Sequence, residues 1–349
     1  MLFIAFIQLM FFLMYFYVLW RLFGMFGCRR RWGFWILTLL ASISLIGSRI
    51  AEAYIDHIVI EMFFVAAGYG LGLVWLLFSV LLVYEIVKYC VPHKPRTAGI
   101  TVIAVVCVLA AYATVNARRI TVNTLTVPGP EPLRLVQLSD IHIGSMNAAF
   151  IQRMVDKTNA LQPDKILITG DLIDHLSTRT RAAMTLLADL EAPTYFVSGN
   201  HEFYTGRSEI INLLDQMGIE TLDNRFIRRG PVQFIGLPDT PDLSHAESAL
   251  LAMPYDRHLY SILMFHRPID IEFLNQAGID LALVGHTHGG QIFPFHVLVW
   301  LFERPLYGLH QHGDSFLYVC SGTGLWGPRM RLGSNNEIAL IELMPPQTQ

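Results

Sequence analysis

The sequence predicts a two-part chain: an N-terminal α-helical membrane bundle with four spans, followed by an α/β domain built as a layered β-sandwich flanked by helices. Three observations predict it. First, 53% of the 349 residues are hydrophobic and only 15% are charged, against about 25% charged in ordinary soluble chains. Residues 1–117 are mostly apolar, whereas the rest reads like a globular domain. Second, from Ile120 short apolar runs alternate with helical patterns, which implies a parallel or mixed sheet with helices outside. Third, those apolar runs end in clusters of Asp, Asn and His.

The membrane part comes first. Four uncharged apolar runs cover residues 2–20, 32–48, 62–84 and 98–115. A helix needs roughly 20 apolar residues to cross a bilayer, with a range of about 17 to 25. The first and third runs meet this easily. The second is the shortest and stops at Arg49, so it is the weakest of the four. Four such runs in succession are read as spans rather than as buried core helices. No Lys or Arg precedes the first run and no small-residue cleavage site follows it, so a cleaved signal peptide is not expected. Trp and Phe within the runs read as interfacial anchors and lipid contacts. Cys28, Cys90 and Cys107 fall in this part and Cys320 stands alone in the second, which leaves no disulfide inside the second domain.

The second domain is expected over residues 120–345. "ITVNTLTV" alternates like an edge strand and "PGPEP" is a turn. Apolar strands follow at 133–140, 164–171, 194–201, 260–266 and 281–286. Between them lie helical patterns: "AAFIQRMVDKTNAL" after Asn147, a good N-cap, then "TRAAMTLLADL" and "SEIINLLDQM". "FIRRGPVQFIGL" and "DSFLYVCSG" read as hairpins.

In open α/β sheets, ligands bind at the carboxyl ends of strands. Here those ends carry Asp140 and His142, Asp171, Asn200, His266, and finally His286 and His288. Carboxylate, amide and imidazole donors without thiolate suit borderline divalent metals. Seven donors are too many for one ion, whereas one carboxylate can bridge two ions about 3.5–4 Å apart, an arrangement suited to in-line phosphoryl displacement. The Asp-x-His and His-x-His spacings place both side chains on one side of an extended chain. The sequence therefore predicts two divalent ions, manganese foremost, with iron, zinc or cobalt as alternatives.

"SDIHIG", "GDLID", "SGNHEFY", "FHRP" and "GHTHGGQ" resemble the motif series of the calcineurin-like metallophosphoesterase superfamily, and its membrane-anchored bacterial branch in particular. The likeness covers residues 120–343, including "YVCSGTG" and "NEIALIEL". It implies that Asp140, His142 and His288 hold one metal, that Asn200, His266 and His286 hold the other, and that Asp171 bridges them. His201 is then the general acid, oriented by Asp174. A near-neutral imidazole with a carboxylate partner suits proton transfer. The implied reaction is attack by a metal-bridging hydroxide on phosphorus.

Other residues carry weaker expectations. Arg267, Arg329 and Arg331 are candidate contacts to an anionic substrate, and Glu202 a candidate to orient a ligand. His296, His310 and His312 read as surface or core residues. Residues 292–302, "IFPFHVLVWLF", are too short for a fifth span and contain Pro294 and His296. They read either as a helix packed on the domain or as a lip touching the lipid bilayer, with Phe295 and Trp300 receiving an acyl chain. Only about 20 residues separate the fourth run from Asp140, which keeps the domain near the lipid surface and favours a lipid-linked phosphate substrate. The alternatives are a nuclease or cyclic-nucleotide phosphodiesterase, and a catalytically silent receptor or scaffold. The net charge of −3 gives no bulk attraction for nucleic acid, and a silent scaffold would be expected to lack ligand residues, of which none is missing.

Sidedness follows from the basic residues. The first and third loops hold Arg21, Arg29, Arg30, Arg31, Lys88, Lys94 and Arg96, while Arg49, Arg118 and Arg119 lie on the opposite side. This places the two basic loops in the cytoplasm and the second domain on the outer, periplasmic face of an inner membrane. A reporter active only in the cytoplasm, fused after Gln349, is expected to give no signal; a cytoplasmic signal overturns the outward orientation.

Overall fold

The computed structural model describes residues 2–29, 31–91 and 93–345. The chain divides into two compact units, Met1–Asn116 with Gly327–Leu332, and Ala117–Trp326 with Gly333–Gln349.

The first unit contains helices α1 (Leu2–Met25), α2 (Trp32–Tyr54), α3 (Ile58–Val87) and α4 (Pro95–Asn116). Each is long and apolar enough to cross a membrane. The helices overrun the apolar runs that announce them, because backbone hydrogen bonding continues wherever charged side chains can find partners. Arg21 of α1 meets Glu85 of α3 at 2.5 Å, and Lys88 meets the same carboxylate at 2.6 Å. In α2, the weakest span by composition, the helix continues through Arg49, which pairs with Glu52 at 3.3 Å. Aromatic rings fill the seams, as where Phe16 stacks on Trp35 with centroids 5.4 Å apart.

Gly327–Leu332 is part of this unit. Arg331 is fully buried; its N–H donates to the Ala113 carbonyl at 2.9 Å, and its carbonyl accepts from Asn116 Nδ2 at 3.2 Å. This corrects the expectation that Arg331 faces an anionic substrate, since a fully buried guanidinium is not open to one. Arg329 lies in the same segment and is half-buried.

The second unit holds twelve strands among its described residues: β1 (Ile120–Pro128), β2 (Leu133–Leu138), β3 (Lys165–Thr169), β4 (Thr194–Val197), β5 (Glu220–Thr221), β6 (Arg225–Arg229), β7 (Val232–Gly236), β8 (Tyr260–Met264), β9 (Leu281–Val284), β10 (Gly308–His312), β11 (Ser315–Val319) and β12 (Asn336–Met344). They form two six-stranded sheets, in the orders β1-β12-β2-β3-β4-β5 and β10-β11-β9-β8-β7-β6. β1 is an edge strand, as its alternation predicts. β6–β7 and β10–β11 are the expected antiparallel hairpins, while β2, β3 and β4, and likewise β7, β8 and β9, run parallel.

Side-chain alternation builds three apolar layers from these two sheets. In β2 and β3, Leu135 and Leu167 point between the sheets, where they join Phe234, Ile262, Leu281, Tyr318 and Ile341. Their neighbours Val136, Leu138, Ile166 and Ile168 face the other way. There they meet α5 (Ala148–Ala160), α6 (Thr178–Met184) and α8 (Arg207–Gln216), with the short α7 (Asn200–Thr205) between the last two. α9 (Leu243–Ala252) and α10 (Ile271–Ala277) cover the second sheet through Leu250 and Leu274. α5 begins as expected, with the Asn147 side chain accepting from the Phe150 N–H at 3.0 Å.

Helices α7, α9 and α10 go beyond the sequence reading. They are 6, 10 and 7 residues long. Local caps start two of them: Asp242 accepts from the Ser244 N–H, and Asp270 from the Glu272 N–H.

Candidate metal centre

The seven predicted donors leave the strands at their carboxyl ends. Asp140 and His142 follow β2, Asp171 follows β3, Asn200 opens α7 just after β4, His266 follows β8, and His286 and His288 follow β9. The structure gathers six of them into two groups that could each hold a metal ion, Asp140, His142 and His288, and Asp171, His266 and His286, while a third such group joins His142 to Asp174 and His201. Asp171 belongs to the second group and reaches the first. Its Oδ2 lies 3.3 Å from His266 Nε2 and 3.7 Å from His142 Nε2.

The imidazoles are oriented from behind. His266 Nδ1 lies 2.9 Å from the Thr169 carbonyl. A carbonyl only accepts, so Nδ1 carries a proton and Nε2 is the atom turned to the centre. His142 Nδ1 lies 2.9 Å from Asp174 Oδ1, which has the same effect. Consequently His142 Nε2 faces His288 Nε2 at 3.2 Å. Likewise His266 Nε2 faces His286 Nδ1 at 3.1 Å. The Asn200 Oδ1 atom is buried and has no hydrogen-bond partner. A buried carbonyl oxygen without a donor is costly unless a cation meets it. These donors therefore fit divalent metal ions.

The charged groups of the centre act strongly on one another. Burial opposes charge at His266, yet the adjacent Asp171 carboxylate outweighs burial and raises its pKa to about 10. At His286, burial and then the positive charge of His266 and Arg267 depress it to about 2. Burial would raise Asp171, but the facing His266 and His201 hold it well below the usual carboxylate range.

Five of the seven donor residues have positive φ: Asp140 (52°), His142 (51°), Asp171 (52°), His286 (70°) and His288 (51°). For residues with a Cβ this costs about 1–3 kcal/mol each, and it turns each side chain inward just past its strand. Close backbone approach completes the turn. A Cβ on Gly199 would collide with the Asp171 carboxylate, and one on Gly285 with Ser139 and Asp140.

His201 sits beside the first group. Its Nδ1 is 3.2 Å from Asp174 Oδ1 and its Nε2 is 3.9 Å from Asp171 Oδ2. Burial lowers its pKa, but Asp171 and Asp174 together outweigh burial and raise it. The two carboxylates thus favour the protonated imidazole, whose Nε2 is turned toward Asp171. Asp174 has one task more than the sequence suggests, because the same Oδ1 also holds His142.

Glu202 is wholly buried. Its carboxylate accepts from the N–H groups of Gly199 at 2.7 Å, Leu172 at 2.8 Å and Asp171 at 3.0 Å. It therefore ties the loop bearing Asp171 to the turn that opens α7. Arg267 lies at the margin, bonded to Asp239 at 2.7 Å, with Nη1 3.0 Å from His286 Nε2. Phe295 and Trp300 lie on α11 (Phe295–Phe302), an apolar helix with no buried residue; they are half-exposed, and Arg304 stacks over Trp300 at 3.8 Å. His296 stacks on Phe293, His310 approaches the Tyr307 carbonyl and His312 is exposed.

Sequence reasoning missed the Thr169 carbonyl behind His266, the Ser139 hydroxyl on Asp140 at 2.6 Å, and Glu303, 3.8 Å from His286 Nε2. A carbonyl leaves no residue-type signal. Glu303 stands 17 positions from its histidine, so only the path of α11 brings the two together.

Comparison with known proteins gives one family model, described as calcineurin-like phosphoesterase, matching residues 133–290. An uncharacterized metallophosphoesterase of Campylobacter jejuni is 33% identical over 253 residues, covering 68% of each chain. An uncharacterized metallophosphoesterase of Helicobacter pylori is 34% identical over 227 residues, covering 61% of this chain and 60% of the relative. A transmembrane protein with metallophosphoesterase domain from Danio rerio is 35% identical over 275 residues, covering 70% of this chain and 62% of that one. The chain thus spans about 60% of the length of the Helicobacter relative.

Glu202→Gln replaces one acceptor oxygen with a donor that faces backbone N–H groups. The expected outcome is about 1–3 kcal/mol of lost stability with weakened metal retention, read by denaturant unfolding and by metal content after dialysis. Unchanged metal content would show that Glu202 does not organise the centre.

Proposed function

The chain belongs to the calcineurin-like phosphoesterase family, and we propose that it is a membrane-bound, dinuclear-metal-dependent hydrolase of a phosphodiester or pyrophosphate linkage in a lipid-linked substrate. The observation that carries the reading is the position of Asp171 Oδ2 between the two groups of imidazoles. It is supported by the donor-free Asn200 oxygen. An enzyme is favoured over a silent scaffold because every donor type is present and oriented.

Two divalent ions, manganese foremost, would be held by Asp140, His142 and His288 on one side and by Asn200, His266 and His286 on the other, with Asp171 shared; bound there, they supply Lewis acidity and an activated water at neutral pH. The chain's own contribution is orientation and proton supply. Thr169 and Asp174 fix the tautomers of His266 and His142. His201 Nε2 faces the centre while Asp174 holds Nδ1. As the water oxygen bonds to phosphorus and the leaving P–O bond breaks, the His201 Nε2 proton passes to the departing oxygen. The imidazole then regains a proton from solvent, which has taken up the one released by the attacking water.

A lipid-linked substrate is supported by α11. Its exposed Phe295, Val297, Leu298, Trp300, Leu301 and Phe302 form an apolar surface on a domain whose chain also carries four membrane-length helices. An apolar helix with Trp and Arg at its end suits the lipid interface. The two are joined chemically as well, since Glu303 at the end of α11 lies 3.6 Å from Arg267 and 3.8 Å from His286.

Two measurements test the reading. Asp171→Asn abolishes metal-dependent hydrolysis of a generic phosphodiester, while His201→Gln keeps its metal and loses about 10²–10⁴ in rate, most for poor leaving groups. Retained activity in the first variant, or lost metal in the second, removes the assigned roles. Polar substitution at Phe295 and Trp300 lowers kcat/KM for lipid phosphates by about tenfold or more, the scale of burying one large apolar side chain, and spares soluble esters. Equal loss on both substrate classes returns α11 to a packing role.

A further inference from the structure

The proton-donor side of the centre carries exposed aromatic rings that neither the metal chemistry nor the apolar core uses. The His201 ring stands edge-on to the Trp326 indole, with centroids 6.1 Å apart and planes at 75°. The Tyr204 ring lies 6.0 Å from the same imidazole at 57°. Trp326 is 42% exposed and Tyr204 is 77% exposed. Large aromatic side chains held open to solvent around a functional group mark a contact surface rather than a packing solution.

Both rings are tied to the histidine they flank. Tyr204 follows His201 by three residues on α7, so the two side chains share a face of that helix. Trp326 is clamped at its backbone by one side chain: its N–H donates to Gln291 Oε1 at 3.2 Å, and its carbonyl accepts from Gln291 Nε2 at 3.0 Å. Gln291 lies three residues beyond His288, at a φ of 45°. The loop that presents two ligand histidines therefore also positions the indole. At the start of α8, Arg207 bonds Asp223 at 2.7 Å and stacks over Phe203 at 5.3 Å.

The placement has a chemical consequence, which rests on the proposed phosphoester hydrolysis. The oxygen that receives the His201 proton leaves with its substituent, which brings that substituent next to the rings that adjoin the imidazole. We infer that Trp326 and Tyr204 form the leaving-group subsite and select a leaving group bearing a planar aromatic ring, whether an aryl group or a nucleobase. Stacking on an aromatic side chain tolerates many ring types, because every such ring has a π face.

The test uses the full chain in detergent with manganese and two substrate pairs. One pair is the phenyl and hexafluoroisopropyl esters of methyl phosphate, similar in leaving-group acidity. The other is the methyl esters of uridine 5′-phosphate and of ribose 5-phosphate, which differ in the base alone. The wild type is expected to favour the ring-bearing member of at least one pair, and which pair tells aryl from nucleobase. Trp326→Ala and the more exposed Tyr204→Ala should each collapse that preference by about tenfold, the scale of stacking on one ring, while Trp326→Phe keeps most of it. A preference unchanged in both alanine variants, or absent in an active wild type, overturns the subsite. A wild type inactive on all four esters overturns the hydrolase reading first, and the subsite with it.

Discussion

Four backbone N–H groups from two separate loops, those of Asp171, Leu172, Ile173 and Gly199, converge on one buried carboxylate, that of Glu202. Much of the centre depends on this convergence. The loop after β3 must deliver Asp171 between two groups of imidazoles, and the turn after β4 must deliver Asn200 beside it. Neither loop has a sheet partner at that point, so each would leave buried donors unsatisfied. Glu202 supplies the acceptors from the first turn of α7 and joins the two loops in doing so. Gly199 has no Cβ because the Asp171 carboxylate occupies the space where one would lie. Bridging carboxylate, tight turn and buried glutamate form one interlocked unit.

Asp174 plays the matching part on the His201 side of the centre. One carboxylate oxygen serves both His142, a candidate metal donor, and His201. The orientations of these two imidazoles are thus coupled through a single buried atom. Left-handed backbone at five donor positions carries a steric cost of several kcal/mol. The apolar layers between and outside the two sheets make that cost tolerable, because the strand ends that carry the strained residues are fixed by the best-packed part of the molecule.

The polar centre and the apolar α11 are one continuous piece of design. The chain passes from His286 and His288 through Gln291, whose amide positions Trp326, into a helix with no buried side chain. It then turns at Glu303, which lies close to His286 again. One short segment thus carries two candidate metal donors, the side chain that clamps the Trp326 backbone, and an apolar helix with no buried residue. The histidines and aromatics of "GHTHGGQIFPFHVLVWLF" stand together because one loop and the helix after it carry all three.

Much of this was readable in the chain itself. Bilayer crossing requires length and apolarity, so the four long helices are written in composition, and only their ends shift, where Arg21 and Arg49 find acidic partners. Strand alternation at Leu135 and Leu167, the cap at Asn147 and the polar strand ends are local patterns, and they place the seven donors along one rim. Tertiary structure alone decided what depends on residues far apart in sequence meeting in space. It sorted the imidazoles into two groups around Asp171, gave Asp174 a second histidine, set the Thr169 carbonyl behind His266, brought Trp326 beside His201 and buried Arg331. Periodicity and spacing report which way a side chain leaves its own element. Which side chain it then meets is decided by packing across sheets and loops, and that carries no local signature.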